Sequence, residues 1–128
     1  KKEEKLVKTW VEKFSIKVKN LDAPISSLSG GNQQKVVIAR CLVTQPKVLI
    51  LDEATRGIDL GAKAEIYEIL RGLAREGLAI LVVSSEMTEI FEISDRVLVM
   101  HAGGLTADLD RSTINESDVV SAATGVLV

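Results

Sequence analysis

The strongest constraint on the fold is a pair of short apolar runs that flank a segment of helical periodicity. Residues 48–51 are Val-Leu-Ile-Leu and residues 79–83 are Ala-Ile-Leu-Val-Val, and each run has the length of a strand. Between them, apolar side chains recur at helical spacing from about residue 60 to residue 75, and Gly77 marks the expected stop. This order predicts a right-handed βαβ unit in an α/β fold. Because the run at 48–51 is uninterrupted, we expect a parallel strand covered on both faces.

The segments around this unit also carry helix and strand signals. Seven of the first twenty residues are lysines, and their spacing with apolar residues predicts an amphipathic helix with Trp10 in the core and a solvated basic face. Pro46 is expected to end a largely buried helix over about residues 32–45. Downstream, the patterns predict a short helix containing Met87, Ile90 and Phe91, a hairpin of residues 97–101 and 105–109, and a closing helix over residues 115–123.

The composition narrows the class of protein. A chain of 128 residues is long enough for one core, so we expect a single domain. Hydrophobic residues make up 46% and aromatic residues 3%, which predicts an aliphatic core, and a net charge of -2 gives no electrostatic reason to expect nucleic acid as a partner. Cys41 is the single cysteine and cannot form an internal disulfide, and the sequence has neither an apolar stretch of about 18 residues nor a signal peptide. A cytosolic setting is therefore expected, and a lone His101 is expected to be structural or solvated.

A glycine-rich segment lies at the start of the first predicted buried helix. Residues 28–34 are Leu-Ser-Gly-Gly-Asn-Gln-Gln. The first turn of a helix has unpaired N–H groups and the positive end of the dipole, and Gly30 and Gly31 would let a phosphate approach the backbone closely. The hydroxyl of Ser29 would add a donor. Alone, the segment would indicate only a Ser-Gly-Gly loop that caps a helix.

Two acidic residues, Asp52 and Glu53, follow the first predicted strand. In open α/β sheets ligands bind beyond the carboxyl ends of the strands, so we expect Asp52 to serve Mg²⁺ and Glu53 an attacking water. By itself, the pair is more typical of solvated acids at a strand-to-loop transition. Together with the glycine-rich segment it indicates half of a nucleotide site. No Gly-x-x-x-x-Gly-Lys-Ser/Thr loop occurs in the sequence, so the chain is expected to offer groups to ATP that it cannot hold alone.

Four segments, in the same order and at the same spacing, resemble the motifs of ATP-binding cassette (ABC) proteins. Residues 28–35 resemble the signature motif and residues 48–53 the Walker B strand, while Arg56-Gly57-Ile58-Asp59 and Ser84-Ser85-Glu86 stand where the family has its D-loop and switch segment. The resemblance implies a partial P-loop NTPase (RecA-like) ABC cassette: a parallel sheet flanked by helices, lacking the Walker A strand and loop.

This resemblance also implies how one ATP-binding domain is divided along the chain. Residues 1–45 would form part of the helical and signature region, and residues 46–128 the core from Walker B to the C-terminal part. The chain starts at Lys1 without a methionine, which indicates a piece of something longer.

In the family, two cassettes sandwich ATP head to tail, which implies roles for the matching residues here. The signature residues would contact the γ-phosphate of ATP held by the opposite cassette. Asp52 would help hold Mg²⁺, through water, and Glu53 would polarise the hydrolytic water, in the manner of phosphoryl transfer. Asp59 would couple the two sites. The implied signature contacts are Ser29, Gly30, Gly31 and Asn32.

Three of these segments have a more specific resemblance: Ser-Gly-Gly-Asn-Gln-Gln at 29–34, Thr-Arg-Gly-Ile-Asp at 55–59 and Ser-Ser-Glu-Met at 84–87. They most resemble the second cassette of the tandem ATPase subunits that power bacterial importers of ribose, galactose, xylose and similar monosaccharides. That resemblance implies an enzyme that couples ATP hydrolysis to sugar uptake. Its implied partners are a second cassette, a membrane permease subunit and, indirectly, a sugar-binding protein, with no nucleic acid. The implied location is cytoplasmic, peripheral on the inner face of the cell membrane.

The chain departs from the family pattern at two positions. Ser85 stands where most cassettes have a switch histidine, and its short neutral side chain cannot make the same reach to the γ-phosphate or share a proton near neutral pH. We therefore expect this cassette's own site to be hydrolytically weak, while its signature still serves the partner site. Ala54 replaces the usual proline after the Walker B glutamate, which should loosen that turn slightly.

The larger departure is the missing Walker A strand, which in the family runs between the strands at residues 79–83 and 97–101. Unpaired backbone groups would flank the gap, so we expect the isolated chain to be inactive and marginally stable, to aggregate, or to exchange strands. Two other functions remain open. One is a truncated, non-hydrolysing cassette that regulates a partner, and the other is a soluble cassette ATPase of DNA repair or chromosome maintenance, which the absence of heptad repeats and basic surfaces disfavours.

Overall fold

Within residues 2–126, which a computed structural model describes, the chain forms five α-helices, one turn of 3₁₀-helix and four strands. The helices are α1 (Lys2–Lys13), α2 (Gly30–Leu42), α3 (Leu60–Arg75), α4 (Met87–Ile93) and α5 (Glu116–Thr124), and the 3₁₀ turn covers Ile25–Ser27. The strands are β1 (Val48–Asp52), β2 (Ala79–Val83), β3 (Arg96–His101) and β4 (Gly104–Asp110). These elements divide into two compact units, one ending at Val83 and the other beginning at Ser84.

The first unit contains the predicted βαβ arrangement. Strands β1 and β2 pair in parallel, with Val48 opposite Ala79, and α3 connects them. The buried face of α3 packs against β2 and α2. Gly77 ends the helix as predicted: it adopts a φ of +98°, and the next amide, of Leu78, donates to the carbonyl of Leu73 at 3.1 Å. This left-handed cap satisfies the last carbonyls of α3.

Only one face of the β1–β2 sheet is covered. Leu49 and Leu51 are buried, whereas Val48 and Ile50 are 55% and 65% exposed. The prediction of a strand covered on both faces is therefore wrong for the described residues. A run of apolar residues shows that a strand favours burial, but it does not show which element covers each face. No described element of the first unit covers the face of Val48 and Ile50.

The lysine-rich segment forms the predicted amphipathic helix, α1, and Lys1 of that prediction lies outside the described residues. Trp10 is half-buried rather than in the core, and its ring meets the edge of Phe14 at a centroid distance of 5.3 Å. Phe14 is the aromatic residue that enters the core, at 2% exposure.

Helix α2 begins two residues earlier and ends three residues earlier than predicted. It stops at Leu42 because a residue before proline is disfavoured in the right-handed helical region, and Gln45, before Pro46, adopts a φ of +51°. The expectation of a largely buried helix is also wrong. Only one face is buried, and Val37 on the opposite side is 37% exposed.

The second unit is built on the predicted hairpin. Strands β3 and β4 pair antiparallel, and Ala102 and Gly103 form the connecting turn with φ values of +48° and +81°. Helices α4 and α5 pack on one face around Val97, Val99 and Val119. His101 has a structural role, as predicted, because its Nδ1 lies 2.8 Å from the carbonyl oxygen of Ala123 at the end of α5, a hydrogen bond that ties the two elements together. Within residues 2–126, no helix is long and apolar enough to cross a bilayer.

Candidate functional site

The signature segment forms the N-terminus of α2, as the glycine-rich pattern predicts. Ser29 is the N-cap residue, and its hydroxyl oxygen accepts hydrogen bonds from the side-chain amide of Asn32 at 2.9 Å and from the Asn32 backbone N–H at 3.5 Å. The Asn32 side-chain oxygen in turn accepts from the backbone N–H of Lys17 at 2.9 Å. Ser29 and Gly30 are exposed. The segment thus presents a hydroxyl and the first-turn amides of a helix, which suit an anionic ligand.

The two signature glycines have different surroundings. A Cβ placed on Gly30 would meet no atom within 4 Å, so packing among the described residues does not require glycine there. Gly31 is buried, and a Cβ placed on it would lie only 2.4 Å from the Cβ of Ala62 in α3. Close helix packing therefore requires glycine at position 31. The sequence did not reveal this second reason, because Ala62 is distant along the chain.

The acidic pair lies at the carboxyl end of β1, where the sequence places it. Asp52 is the last residue of the strand and is exposed. Glu53 is half-buried and has a φ of +47°, in the left-handed region that favours glycine. Its N–H donates to the carbonyl of Val83 at 2.8 Å, and its carbonyl accepts from the N–H of Arg56 at 3.1 Å. Backbone strain held on both sides in this way is typical of functional positions.

An open pocket of about 500 Å³ brings part of the signature segment together with the acidic pair. Gly30, Asp52 and Glu53 all line it, whereas Ser29, Gly31, Asn32 and Asp59 do not. The other polar lining residues are Gln33, Gln34 and Arg56, which belong to the signature and D-loop segments but had no predicted role of their own. The lining residues thus include two with carboxylates, one with a guanidinium and two with side-chain amides, a mixture that suits a charged, hydrated ligand.

Two further predicted residues lie elsewhere. Asp59 is exposed and caps α3, with its Oδ1 accepting from the N–H of Ala62 at 3.0 Å. An aspartate directly before a helical pattern is a signal for such a cap, which sequence reasoning did not use. Ser85 is exposed in the bend between β2 and α4 and belongs to the second unit. Beside it, the Ser84 hydroxyl accepts from the N–H of Glu86 at 3.0 Å.

The donor set at the end of β1 fits a magnesium ion. Within residues 2–126, no group of three His, Cys, Asp or Glu side chains is placed to hold a metal ion. Magnesium does not need such a cage, because it commonly keeps several waters and binds one or two carboxylates together with substrate phosphates. Asp52 and Glu53 supply carboxylates of that kind on the open pocket.

Lys35 had no predicted role, although it lies within the signature motif. Its side chain is only 2% exposed, and its Nζ donates to Glu65 Oε2 at 2.6 Å and to the carbonyl of Ser15 at 3.4 Å. The hydrogen bond from Lys35, followed by its positive charge, holds the pKa of Glu65 below the ordinary value of 4.5. A lysine among polar residues on a helix carries no local signal of burial.

A model of the family described as ABC transporter matches residues 1–56. Among curated proteins, a ribose import ATP-binding protein of Mesorhizobium japonicum is 54% identical over 92% of this chain and 23% of its own length. One from Streptomyces avermitilis is 52% identical over 91% of this chain and 23% of its own length. A xylose import ATP-binding protein of Escherichia coli K12 is 47% identical over 94% of this chain and 24% of its own length. The chain thus spans about a quarter of the length of these relatives.

Solved structures show the same fold. An inward-facing ABC transporter of metal-chelate type superposes with a TM-score of 0.78 at 21% identity, covering 94% of this chain and 48% of that one. A dimeric ATP-binding cassette in a post-hydrolysis state, bound to ADP and Pi, superposes with a TM-score of 0.72 at 22% identity, covering 84% and 46%.

The parallel β1–α3–β2 unit, the signature segment at the start of α2 and the acidic pair after β1 together define a partial P-loop NTPase cassette. The chain has the fold of part of an ATP-binding cassette, and its first 56 residues match the ABC transporter family. Within that family, its similarity is to ATP-binding proteins named for the import of ribose and xylose.

Proposed function

We propose that this chain is the C-terminal part of the second cassette of a monosaccharide importer's ATPase subunit, and that the full-length protein couples ATP hydrolysis to sugar uptake. The observation that supports the chemistry best is Glu53. A glutamate occupies a left-handed position beside Asp52, at the carboxyl end of a parallel strand, where glycine would be less strained. The names of the relatives support the choice of a sugar as the cargo.

The acidic pair would act on the nucleotide bound by this same cassette. Asp52 would help hold Mg²⁺ through water, and Mg²⁺ would neutralise charge that develops on the phosphate oxygens. The Glu53 carboxylate would accept a hydrogen bond from the hydrolytic water and so orient it toward the γ-phosphate. The left-handed backbone at Glu53 fixes the direction in which its side chain leaves the main chain, which would help to hold the carboxylate in one orientation toward the water.

The signature segment would act in trans, on ATP held by an opposing cassette. Ser29 and Gly30 are exposed, and Asn32 keeps the Ser29 side chain in place through the 2.9 Å hydrogen bond. Gly30 leaves space for a phosphate oxygen to reach the first-turn amides. Gly31 would contribute mainly by letting α2 lie against α3, and Asp59, at the start of α3, would contact the opposing cassette.

Such an ATPase works with partners. In this proposal they are a second cassette, which completes each nucleotide site, a membrane permease subunit, and a sugar-binding protein that acts through the permease. ATP closes the pair of cassettes and hydrolysis opens it, and this motion drives the permease. The cassette would then lie on the cytoplasmic face of the membrane, held there by the permease.

The test is Gly30→Asp in the full-length protein, assembled with its permease. Aspartate at the first position of α2 meets no steric obstacle and favours the helix dipole, so folding should be retained. Its negative charge would oppose the phosphate, and we expect ATP turnover to fall about 100-fold. Gly72→Asp controls for an added side chain and charge, because Gly72 is equally free of nearby atoms; it lies near the C-terminal end of α3, where the helix dipole disfavours aspartate, so its turnover is compared per folded molecule. Unchanged turnover in the Gly30 variant would count against a nucleotide role for the signature segment.

Ser85 supports a second candidate, a cassette whose own site does not hydrolyse ATP and which regulates its partner site through the signature segment. Ser85→His in the full-length protein distinguishes the two. If the missing histidine limits this site, turnover should rise by about tenfold, and the gain should disappear when Glu53→Gln is added. Such a gain would support the second candidate. If Ser85→His produces no gain, the missing histidine is not what limits this site, and Ser85 no longer supports that candidate.

A further inference from the structure

Lys35 is buried in a way that its chemistry does not favour. It is among the largest fully buried side chains of the described residues, at 2% exposure. Removing an ammonium group from water costs several kcal/mol, and an apolar side chain of similar length would fill the same space without that cost. Lysine at this position is therefore not explained by packing alone.

The contacts of Lys35 join three segments of the first unit. Its Nζ donates to Glu65 in α3 at 2.6 Å and to the carbonyl of Ser15, in the turn after α1, at 3.4 Å. Ser15 has a φ of +48°, so its carbonyl is presented from a tight turn. Next to this turn, the N–H of Lys17 donates to Asn32 in the first turn of α2 at 2.9 Å. The turn is thus attached to α2 at two points.

The Lys35–Glu65 pair lies on the same α2–α3 interface as the signature glycine. Gly31 is four residues before Lys35, and Ala62 is three residues before Glu65, spacings that place each pair of residues on one helix face. Gly31 and Ala62 are in close contact at the start of both helices. Ala62 in turn donates its N–H to Asp59 at 3.0 Å. One interface therefore links Ser29 and Gly30 to Asp59.

We propose that Lys35 is a positioning residue, which locks the signature end of α2 and the Asp59 end of α3 into one rigid body. Both ends would face the opposing cassette, so their relative placement sets how well the two cassettes close on ATP. This inference rests on the proposed function for its effect on turnover, but not for its effect on the rigidity of α2. Lys35 itself would touch no nucleotide.

The decisive variant is Lys35→Met in the full-length protein with its permease. Methionine keeps most of the packing and removes both hydrogen bonds. We expect the unfolding temperature to stay within a few degrees of the wild type, because a buried ion pair adds little net stability over an apolar replacement. Amide hydrogen exchange in the first turn of α2, at Gln33 and Gln34, should accelerate about tenfold. The kcat for ATP should fall about tenfold, with KM changed less than twofold.

The matched control is Lys8→Met, which removes the exposed Lys8–Glu4 pair of α1, with an Nζ to Oε1 distance of 2.8 Å. It should change neither exchange in α2 nor turnover. A second variant, Glu65→Gln, guards against misfolding of Lys35→Met, since the Glu65 side chain is 51% exposed. It should accelerate exchange in the same turn.

Two results would overturn the inference. One is unchanged exchange in the first turn of α2 in both variants, and the other is a uniform rise in exchange across the unit with a parallel loss of nucleotide binding, which indicates general destabilisation. If the wild-type protein has no ATPase activity, the proposed function fails, but the exchange measurement still decides whether Lys35 locks the helices.

Discussion

Gly31 of α2 and Ala62 of α3 approach so closely that a Cβ on Gly31 would lie 2.4 Å from the Ala62 Cβ. Nothing of this kind surrounds Gly30, one residue earlier. The signature segment therefore contains one glycine that no packing contact requires and one that leaves space for a neighbouring helix. Substitutions at the two positions should have different consequences.

We expect Gly31→Ala to destabilise the cassette by about 1–3 kcal/mol, because overpacking forces the helices apart. Gly30→Ala should cost almost nothing and would slightly favour the helix. Chemical unfolding of the full-length protein, followed through a probe on α2, measures both. The double variant Gly31→Ala with Ala62→Gly should recover most of the loss, since it removes the methyl group that clashes. If the double variant is no more stable than Gly31→Ala alone, the loss of stability does not come from the contact with the Ala62 methyl group.

The left-handed backbone at Glu53 leads to a second prediction. Glycine is relaxed at a φ of +47°, so Glu53→Gly should leave stability unchanged or raise it by up to about 1 kcal/mol while removing the carboxylate. Hydrolysis at this cassette's own nucleotide should be lost. Gln45→Gly is the control, because Gln45 has a similar φ of +51° but lies outside the pocket lining. It should have a similar effect on stability and none on hydrolysis, as measured by single-turnover assays and thermal unfolding.

Periodicity in the sequence predicts the strands and helix of the βαβ unit, the hairpin and the helix end near Gly77, because each of these patterns is local. The parallel pairing of β1 with β2 follows from the general preference for such units rather than from any local contact. The contacts of Lys35 could not be predicted in the same way. Its partner Glu65 is thirty residues away, and a lysine on a helix is normally solvated. Local pattern gives the face of an element but not the element that packs there.

The same limit applies to the sheet and to the acidic pair. Ile50 is as apolar as Leu51, yet one is 65% exposed and the other 7%. The sequence places Asp52 and Glu53 at the end of a strand. The left-handed backbone of Glu53, however, is held by a hydrogen bond to Val83, in strand β2, which lies directly beside β1 although α3 separates the two strands in sequence. The identity of a site residue follows from local sequence, whereas its strain follows from tertiary contacts.

Asp59 combines two roles that substitution can separate. As the N-cap of α3, its Oδ1 accepts from the Ala62 N–H at 3.0 Å. Asp59→Ala should therefore cost about 1 kcal/mol of stability, whereas Asp59→Asn should keep the cap and the stability. If the carboxylate also contacts the opposing cassette, Asp59→Asn should still lower ATP turnover. Wild-type turnover in a stable Asp59→Asn variant would restrict Asp59 to the capping role.

The ion pair between Lys35 and Glu65 predicts a specific response to acid. The pKa of Glu65 is lowered from 4.5 in the folded protein, so the pair stabilises the fold fully above that value and loses its contribution as the pH falls through the lower folded-state pKa. The difference in unfolding free energy between the wild type and Glu65→Gln should therefore be constant near neutral pH and shrink below about pH 4.5.

Urea unfolding of both proteins at a series of pH values measures this difference, and the titration of other carboxylates cancels between them. Glu3→Gln, at an exposed position of α1, controls for the loss of one negative charge. A difference that persists unchanged down to pH 3 would mean that the Glu65 carboxylate contributes through packing rather than through its charge. A difference that shrinks on acidification would show that the charge of Glu65, through its ion pair with Lys35, contributes to the stability of the α2–α3 interface.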